Sequence, residues 1–290
     1  METESVITVV AQDALSLITK AEIDQQISTA KAYPRSLKMF IDKATSMATV
    51  SDSVAASCTY SLPRGGRDLT GPTVRLAEIC CASYGNIRSG ARIIANDGKT
   101  ITAQGICHDL ETNNFISVEV KRKITNKEGK TFNEDMQTVT GNAACAIAFR
   151  NAVFKVIPMA FIQDVWDAAK KVSRGTEQTL PERRDKALAY LRGIGVKDKQ
   201  ICEVLEIKKV EDIDLDKLAT LRGMVALINN GESTVKDLFS PPAIEIEDLQ
   251  MLFDMKREML TPAEIKQIDD IINSKETASY KKVQTLLQSK

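Results

Sequence analysis

Histidine is almost missing from this chain, which has one, and aromatic residues make up only 5% of it, with a single tryptophan. One histidine, His108, excludes a histidine-rich metal centre, and any serine or cysteine triad would have to be built around it. Standing between Cys107 and Asp109 with no spaced partner, it reads as structural. No apolar run is long enough to cross a bilayer. Net charge is absent too, with 39 basic and 39 acidic residues, so total charge names no partner. The six cysteines, at 58, 80, 81, 107, 145 and 202, show neither metal nor redox spacing. Free thiols in a reducing compartment are expected, not a disulfide scaffold. Glu2 and Glu4 stand where a secretory leader would need basic residues, so the expectation is a soluble, cytoplasmic protein. Gly98-Lys99-Thr100 ends like a phosphate loop, but Ile93 stands where the earlier glycine is required and the context is strand–turn–strand, which excludes a nucleotide site there.

What the chain does have is an uneven spread of charge. Residues 1–30 hold 1 basic and 5 acidic residues, residues 31–175 hold 20 and 13, and residues 176–290 hold 18 and 21. A positive middle between acidic flanks suits a polyanionic ligand, although scatter of surface charge is the plain alternative. Four segments follow: an acidic N-terminal arm (1–30) with a short helix around Asp13 to Ile27, an α+β core (31–175), a helical module (176–239) and a helical tail (240–290).

Within the core, residues 35–57 read as one helix, with Leu37, Phe40, Ile41, Ala44 and Met47 at core spacing. Leu62 to Asp68 reads as a basic, flexible loop, and Gly71-Pro72 opens a helix from Thr73 to Tyr84. Ile87 to Ile93 is a strand, Asn96-Asp97-Gly98-Lys99 a hairpin turn, and Thr100 to Cys107 the return strand. Phe115 to Ile124 alternates, with Ile116, Val118 and Val120 on one face and Ser117, Glu119, Lys121 and Lys123 on the other. After the turn 126–130, a small-residue helix from Gly141 to Ile157 can cover the apolar face. The fold class is therefore α+β: a three-stranded antiparallel meander covered by helices, then a small helical module and a helical tail. A helix at 161–172 carries Trp166, and Ser173 to Thr179 reads as a linker. The module has helices at 181–191, 197–205 and 215–229. Ser240-Pro241-Pro242 marks a second linker, and Thr261-Pro262-Ala263-Glu264 is a capping start for a tail helix.

The basic residues of the core are the candidate site. Arg64 and Arg67 lie in the loop, Arg75 on the next helix, and Arg88 and Arg92 on one strand face. Lys121 and Lys123 share the polar face of the third strand, and Lys127 and Lys130 decorate the turn beyond it. Counterion release makes such clusters a source of nucleic-acid affinity, and Tyr60, Tyr84, Phe115 and Phe132 are candidate stacking platforms. A solvated sheet face is the bland alternative. Arg150 lies among Cys145, Ala148, Phe149, Ala152, Val153 and Val156, and so needs a phosphate or carboxylate partner. A second reading is catalytic: Asp109 with Glu119-Val120-Lys121 matches the loose carboxylate–(D/E)-x-K pattern of metal-dependent nucleases, in which carboxylates hold Mg²⁺ and lysine helps activate water. A third makes the chain an adaptor acting through residues 181–290. The module could also be a helix-turn-helix reader, but Glu203, Glu206, Glu211, Asp212, Asp214 and Asp216 favour protein contact or packing.

Arg75-Leu76-Ala77-Glu78 ahead of Tyr84-Gly85-Asn86, the strand Ile101 to Cys107, the basic strand Val118 to Lys123, and Asn142 to Lys155 with Arg150 together resemble the core of single-strand annealing proteins. These are phage recombinases of the RecT, Redβ and Erf kind and their eukaryotic relatives. The resemblance covers about half the chain, and the block Gly71 to Glu78 also looks like segments of phage proteins. It implies a homo-oligomeric ring or filament with single-stranded DNA in a basic groove lined by Arg88, Arg92, Lys121, Lys123 and Arg150. It also implies annealing without nucleotide hydrolysis or a cofactor, and partners such as a phage nuclease or a host single-strand-binding protein.

Overall fold

The computed structural model describes residues 19–64, 67–126, 129–239, 246–257 and 260–274, with Val283, Leu286 and Leu287. Two compact units divide at Phe239–Ser240. Among the described residues no helix is long and apolar enough to cross a membrane.

The first unit opens with a helix over 19–32, α1. Of the arm's expected helix, Asp13 to Ile27, the part before residue 19 lies outside the described residues, and α1 runs on beyond Ile27. The single helix expected over 35–57 is two, α2 (Leu37–Ala48) and α3 (Asp52–Ser57). The Ser51 hydroxyl accepts from the Val54 N–H at 3.2 Å, so it caps a new helix instead of continuing the old one. Phe40, Ala44 and Ala48 form the buried stripe of α2, whereas Leu37 and Met47 are exposed.

The basic loop is also corrected. Thr59–Arg64 (β1) and Arg67–Pro72 (β2) pair antiparallel, with Arg64 opposite Arg67. The sequence signal was present, because two strand-like runs separated by Gly-Gly are a hairpin pattern. Helix α4 (Val74–Tyr84) follows.

The meander stands as expected, in the order β3 (Ile87–Asn96), β4 (Thr100–Asp109) and β5 (Asn114–Lys123), all antiparallel. Gly98 takes the left-handed φ of 80° that the hairpin turn needs. Helix α5 (Glu134–Val156) covers one face of this sheet and starts seven residues before Gly141, capped by the Asn133 side chain accepting from Met136 N–H, with Glu134 and Asp135 in the first turn. Ala144 and Ala148 of α5 and Ala103 of β4 pack with no exposed surface. At Gly105 the contact is closest, for a Cβ there would lie 2.1 Å from the Ala148 carbonyl oxygen. Helix α6 (Met159–Arg174) closes the core with Ile162, Val165 and Ala169. All six cysteines are free, and burial pushes the Cys58 and Cys80 thiols up to about 12.

Helices α7 (Leu180–Gly193), α8 (Asp198–Leu205), α9 (Leu215–Asn229) and α10 (Val235–Phe239) enclose an apolar cluster that includes Leu191, Ile201, Leu205, Leu221 and Phe239. This module packs on the core through α9. Gly223 meets β1 so closely that a Cβ would lie 2.4 Å from Ser61 N, and Arg222 pairs with Asp52 of α3. The second unit holds α11 (Ile246–Lys256) and α12 (Pro262–Ser274), with Leu249, Phe253, Ile268 and Ile272 in its own core. Thr261 and Glu264 form the expected reciprocal cap. The linker expected at Ser240 to Pro242 lies outside the described residues.

Candidate nucleic-acid interface

Because α5 covers the face carrying Ile101, Ala103, Gly105 and Cys107, strand alternation turns the other set of residues outward. Register then arranges them in rows across the sheet. Arg88 stands opposite His108, which stands opposite Phe115; next come Gly90, Ile106 and Ser117, then Arg92, Gln104 and Glu119. Thr102 pairs with Lys121, and Thr100 with Lys123 at the hairpin end. Rows repeat about every 6.8 Å along the strands, and strands lie about 4.8 Å apart.

Four predicted cations thus share this open face: Arg88, Arg92, Lys121 and Lys123. None makes an ion pair among the described residues, and Arg92, Lys121 and Lys123 are exposed. Arg92 Nε donates to Gln104 Oε1 at 3.2 Å, and Gln104 Nε2 donates onward to Ser117 Oγ at 3.1 Å. Glu119 is the one carboxylate in these rows. Asp97, at the turn, is held down to about 2, chiefly by backbone N–H groups of Thr100 and Lys99 and the Thr100 hydroxyl, with a lesser pull from Lys121.

The other predicted cations lie elsewhere. Arg75, on α4, pairs with Glu78 beside Met47 and Val54. Arg64 and Arg67 oppose each other at the end of the β1–β2 pair, Lys130 is exposed beyond β5, and Lys127 lies outside the described residues. Arg150 is a correction to the proposed groove. Its carboxylate partner is internal: Glu232, whose side chain is 1% exposed. The same carboxylate accepts from the Val74 N–H at 2.9 Å and so caps α4, whose own N-cap residue Thr73 supplies no side-chain bond. Burial raises the Glu232 carboxyl above its ordinary range, against the pull of Arg150. Tyr60 lies under the Arg150 guanidinium, 5.3 Å from it.

The nuclease residues do not come together. Asp109 is on the helix-covered side of β4, while Glu119 and Lys121 are on the open side, with Glu119 five residues further along the sheet, or roughly 17 Å. Asp109 is engaged by Arg35, which also donates from its backbone N and its Nε to Glu111 Oε1, each at 2.8 Å, and stacks 4.0 Å over Tyr84. Desolvation works against both carboxylates, yet hydrogen bonds from Arg35, with others from Asn86 and the backbone, hold Asp109 and Glu111 below the usual range. Sequence reasoning missed Arg35 and Glu232, because neither sits in a motif and each finds its partner far along the chain. Of the proposed stacking residues, Tyr84 is buried and Phe132 half-buried, while Phe115 is 54% exposed on the open face.

Among the described residues no cluster of three or more His, Cys, Asp or Glu is placed to hold a metal ion. Glu203, Glu206, Glu211, Asp212, Asp214 and Asp216 of the module are all exposed. Compared with models of known families, with curated proteins and with solved structures, the chain matches none.

Proposed function

We infer that this protein binds single-stranded DNA along the open face of the meander and promotes annealing of complementary strands, without ATP, as a homo-oligomer of the phage recombination type. The observation that carries the binding step is the set of four cations on one open sheet face that make no ion pair among the described residues, in a molecule whose buried arginines do. Phosphates drawn to Arg88, Arg92, Lys121 and Lys123 would release counterions, a driving force independent of base sequence. A strand held by its phosphates on a flat surface keeps its base edges available to a complement, which is the requirement for annealing. The oligomer, the phage setting and partner proteins rest on the resemblance of the core to RecT, Redβ and Erf-like annealing proteins.

Complementary labelled oligonucleotides mixed with the protein, with and without Mg²⁺ and without ATP, test this directly. Faster duplex formation with intact strands is expected. Strands that shorten with Mg²⁺ would point to a nuclease instead, and no binding of either strand would sink the reading.

A further inference from the structure

The open face is not uniformly charged. Between Arg88 and Arg92 stands Gly90, opposite Ile106, and Phe115 lies diagonally across from Ile106 on the next strand. Diagonal neighbours on one sheet face are about 7–8 Å apart, within reach of an aromatic side chain. An apolar strip therefore crosses the sheet from Phe115 over Ile106 to the bare backbone of Gly90.

Two details of this strip lack a packing explanation. A glycine within a strand weakens it relative to alanine. Gly105, on the opposite face, needs its glycine because α5 backbone fills the space, but a Cβ at Gly90 would meet nothing within 4 Å. Gly90 leaves open space, and its φ lies outside the left-handed region, so neither crowding nor backbone conformation calls for it. Phe115 is the second detail. More than half of it faces solvent, yet it is positioned: the His108 ring packs edge-on against it, with centroids 5.7 Å apart at 86°. His108 is in turn fixed through Nε2 to Asn113 Oδ1 at 3.0 Å. An isolated glycine in a strand often marks close approach of a ligand, and an exposed, oriented aromatic beside cations is what an unstacked base packs on.

Building on the reading of this face as a nucleic-acid surface, we propose that Phe115, Ile106 and the space above Gly90 form a base platform, flanked by Arg88 and Arg92, that takes the flat face of a nucleobase from a single strand. Paired bases in a duplex keep their flat faces stacked inside the helix, so the platform selects single strands. Stacking covers a flat face and leaves the hydrogen-bonding edges unoccupied. His108 acts as a positioning residue for Phe115.

The test compares a labelled thymidine oligonucleotide with an abasic strand of equal length, by fluorescence anisotropy at fixed salt. The native protein should bind the thymidine strand more tightly. Phe115→Ala should weaken that binding by about ten-fold or more while leaving the abasic strand unchanged, and Phe115→Tyr should restore it. Gly90→Val, which puts a branched side chain into the open space above that backbone, should give the same selective loss. Equal affinity of the native protein for both strands, or equal loss of both in Phe115→Ala, would refute the platform and leave the charge-based reading standing. Failure of the native protein to bind either strand would remove both.

Discussion

Two regions of this protein concentrate cations and use them in opposite ways. Where α3, α4, α5, α7 and α9 meet, Arg150 is matched by Glu232, and both Arg183 of α7 and Arg222 of α9 by Asp52. On the open sheet face, Arg88, Arg92, Lys121 and Lys123 make no ion pair among the described residues, although Glu119 shares the strand face of Lys121 and Glu22 of α1 lines a cavity with Arg88. The same residue types therefore hold the molecule together in one place and leave a positive field outside it in another. What separates them is desolvation: a buried guanidinium must carry its counter-ion with it, whereas an exposed one is free to take a ligand's.

The sharpest way to break this contrast is at Glu232. Glu232→Ala strands Arg150 and uncaps α4, and urea unfolding should show a loss of about 3–5 kcal/mol. A change below about 1 kcal/mol would mean that the junction does not depend on the pair. Replacing both members with apolar residues of similar volume should recover much of the loss. The two faces of the sheet differ next. Gly105→Ala forces a methyl into α5 backbone and should cost about 1–3 kcal/mol or more, while Gly90→Ala should be neutral or raise stability by about 0.4–1 kcal/mol. Similar effects at the two positions would contradict the packing described.

Acid should act on the internal pairs. Asp109 and Glu111 have folded-state pKa values below their unfolded ones, so the stability they contribute is complete above the ordinary carboxylate range. It is lost as pH falls through the folded values, which lie below the ordinary carboxylate range. Asp109→Asn with Glu111→Gln should lower stability at pH 7 and flatten the acid limb of the unfolding profile; an unaltered limb would show that Arg35 does not hold them. The smallest stability effect is expected on the open face. Lys121→Glu with Lys123→Glu should change stability by less than about 0.5 kcal/mol. If both lysines meet phosphates, their loss should make the log–log salt dependence of single-strand binding shallower by about 1.4. An unchanged slope would remove β5 from the interface.

The alternation in Phe115 to Ile124 and the Asp97-Gly98 turn made the meander and its two faces legible, because period-two patterning and turn chemistry are local. Helix α9 likewise runs over the residues its pattern marks, 215–229. The β1–β2 pair was missed because Pro63 and the glycines around Arg64 and Arg67 weigh toward a loop. The early start of α5 was missed although Asn133-Glu134-Asp135 is a capping signature. Strand parity put Arg88 with Arg92 and Lys121 with Lys123; that the two pairs share one face comes from the register between strands, and their grouping was expected only from the resemblance. Arg150's need for an anion was also readable, but not which anion, since Glu232 lies 82 residues away. The separation of Asp109 from Glu119 depends on register between two strands, which a spacing motif does not encode.

Glu232 also bears on the order of assembly. It completes a cap on Val74 across 158 residues of chain. At a synthesis rate of about 5–20 residues per second, roughly 4–16 seconds pass between adding Arg150 and adding Glu232. Through that interval α4 and α5 lack the carboxylate they share, and the cap on Val74 and the partner of Arg150 arrive together. A chain cut at Gly175 never receives that carboxylate, and any activity it lost would report an unfinished core before it reported a missing partner site.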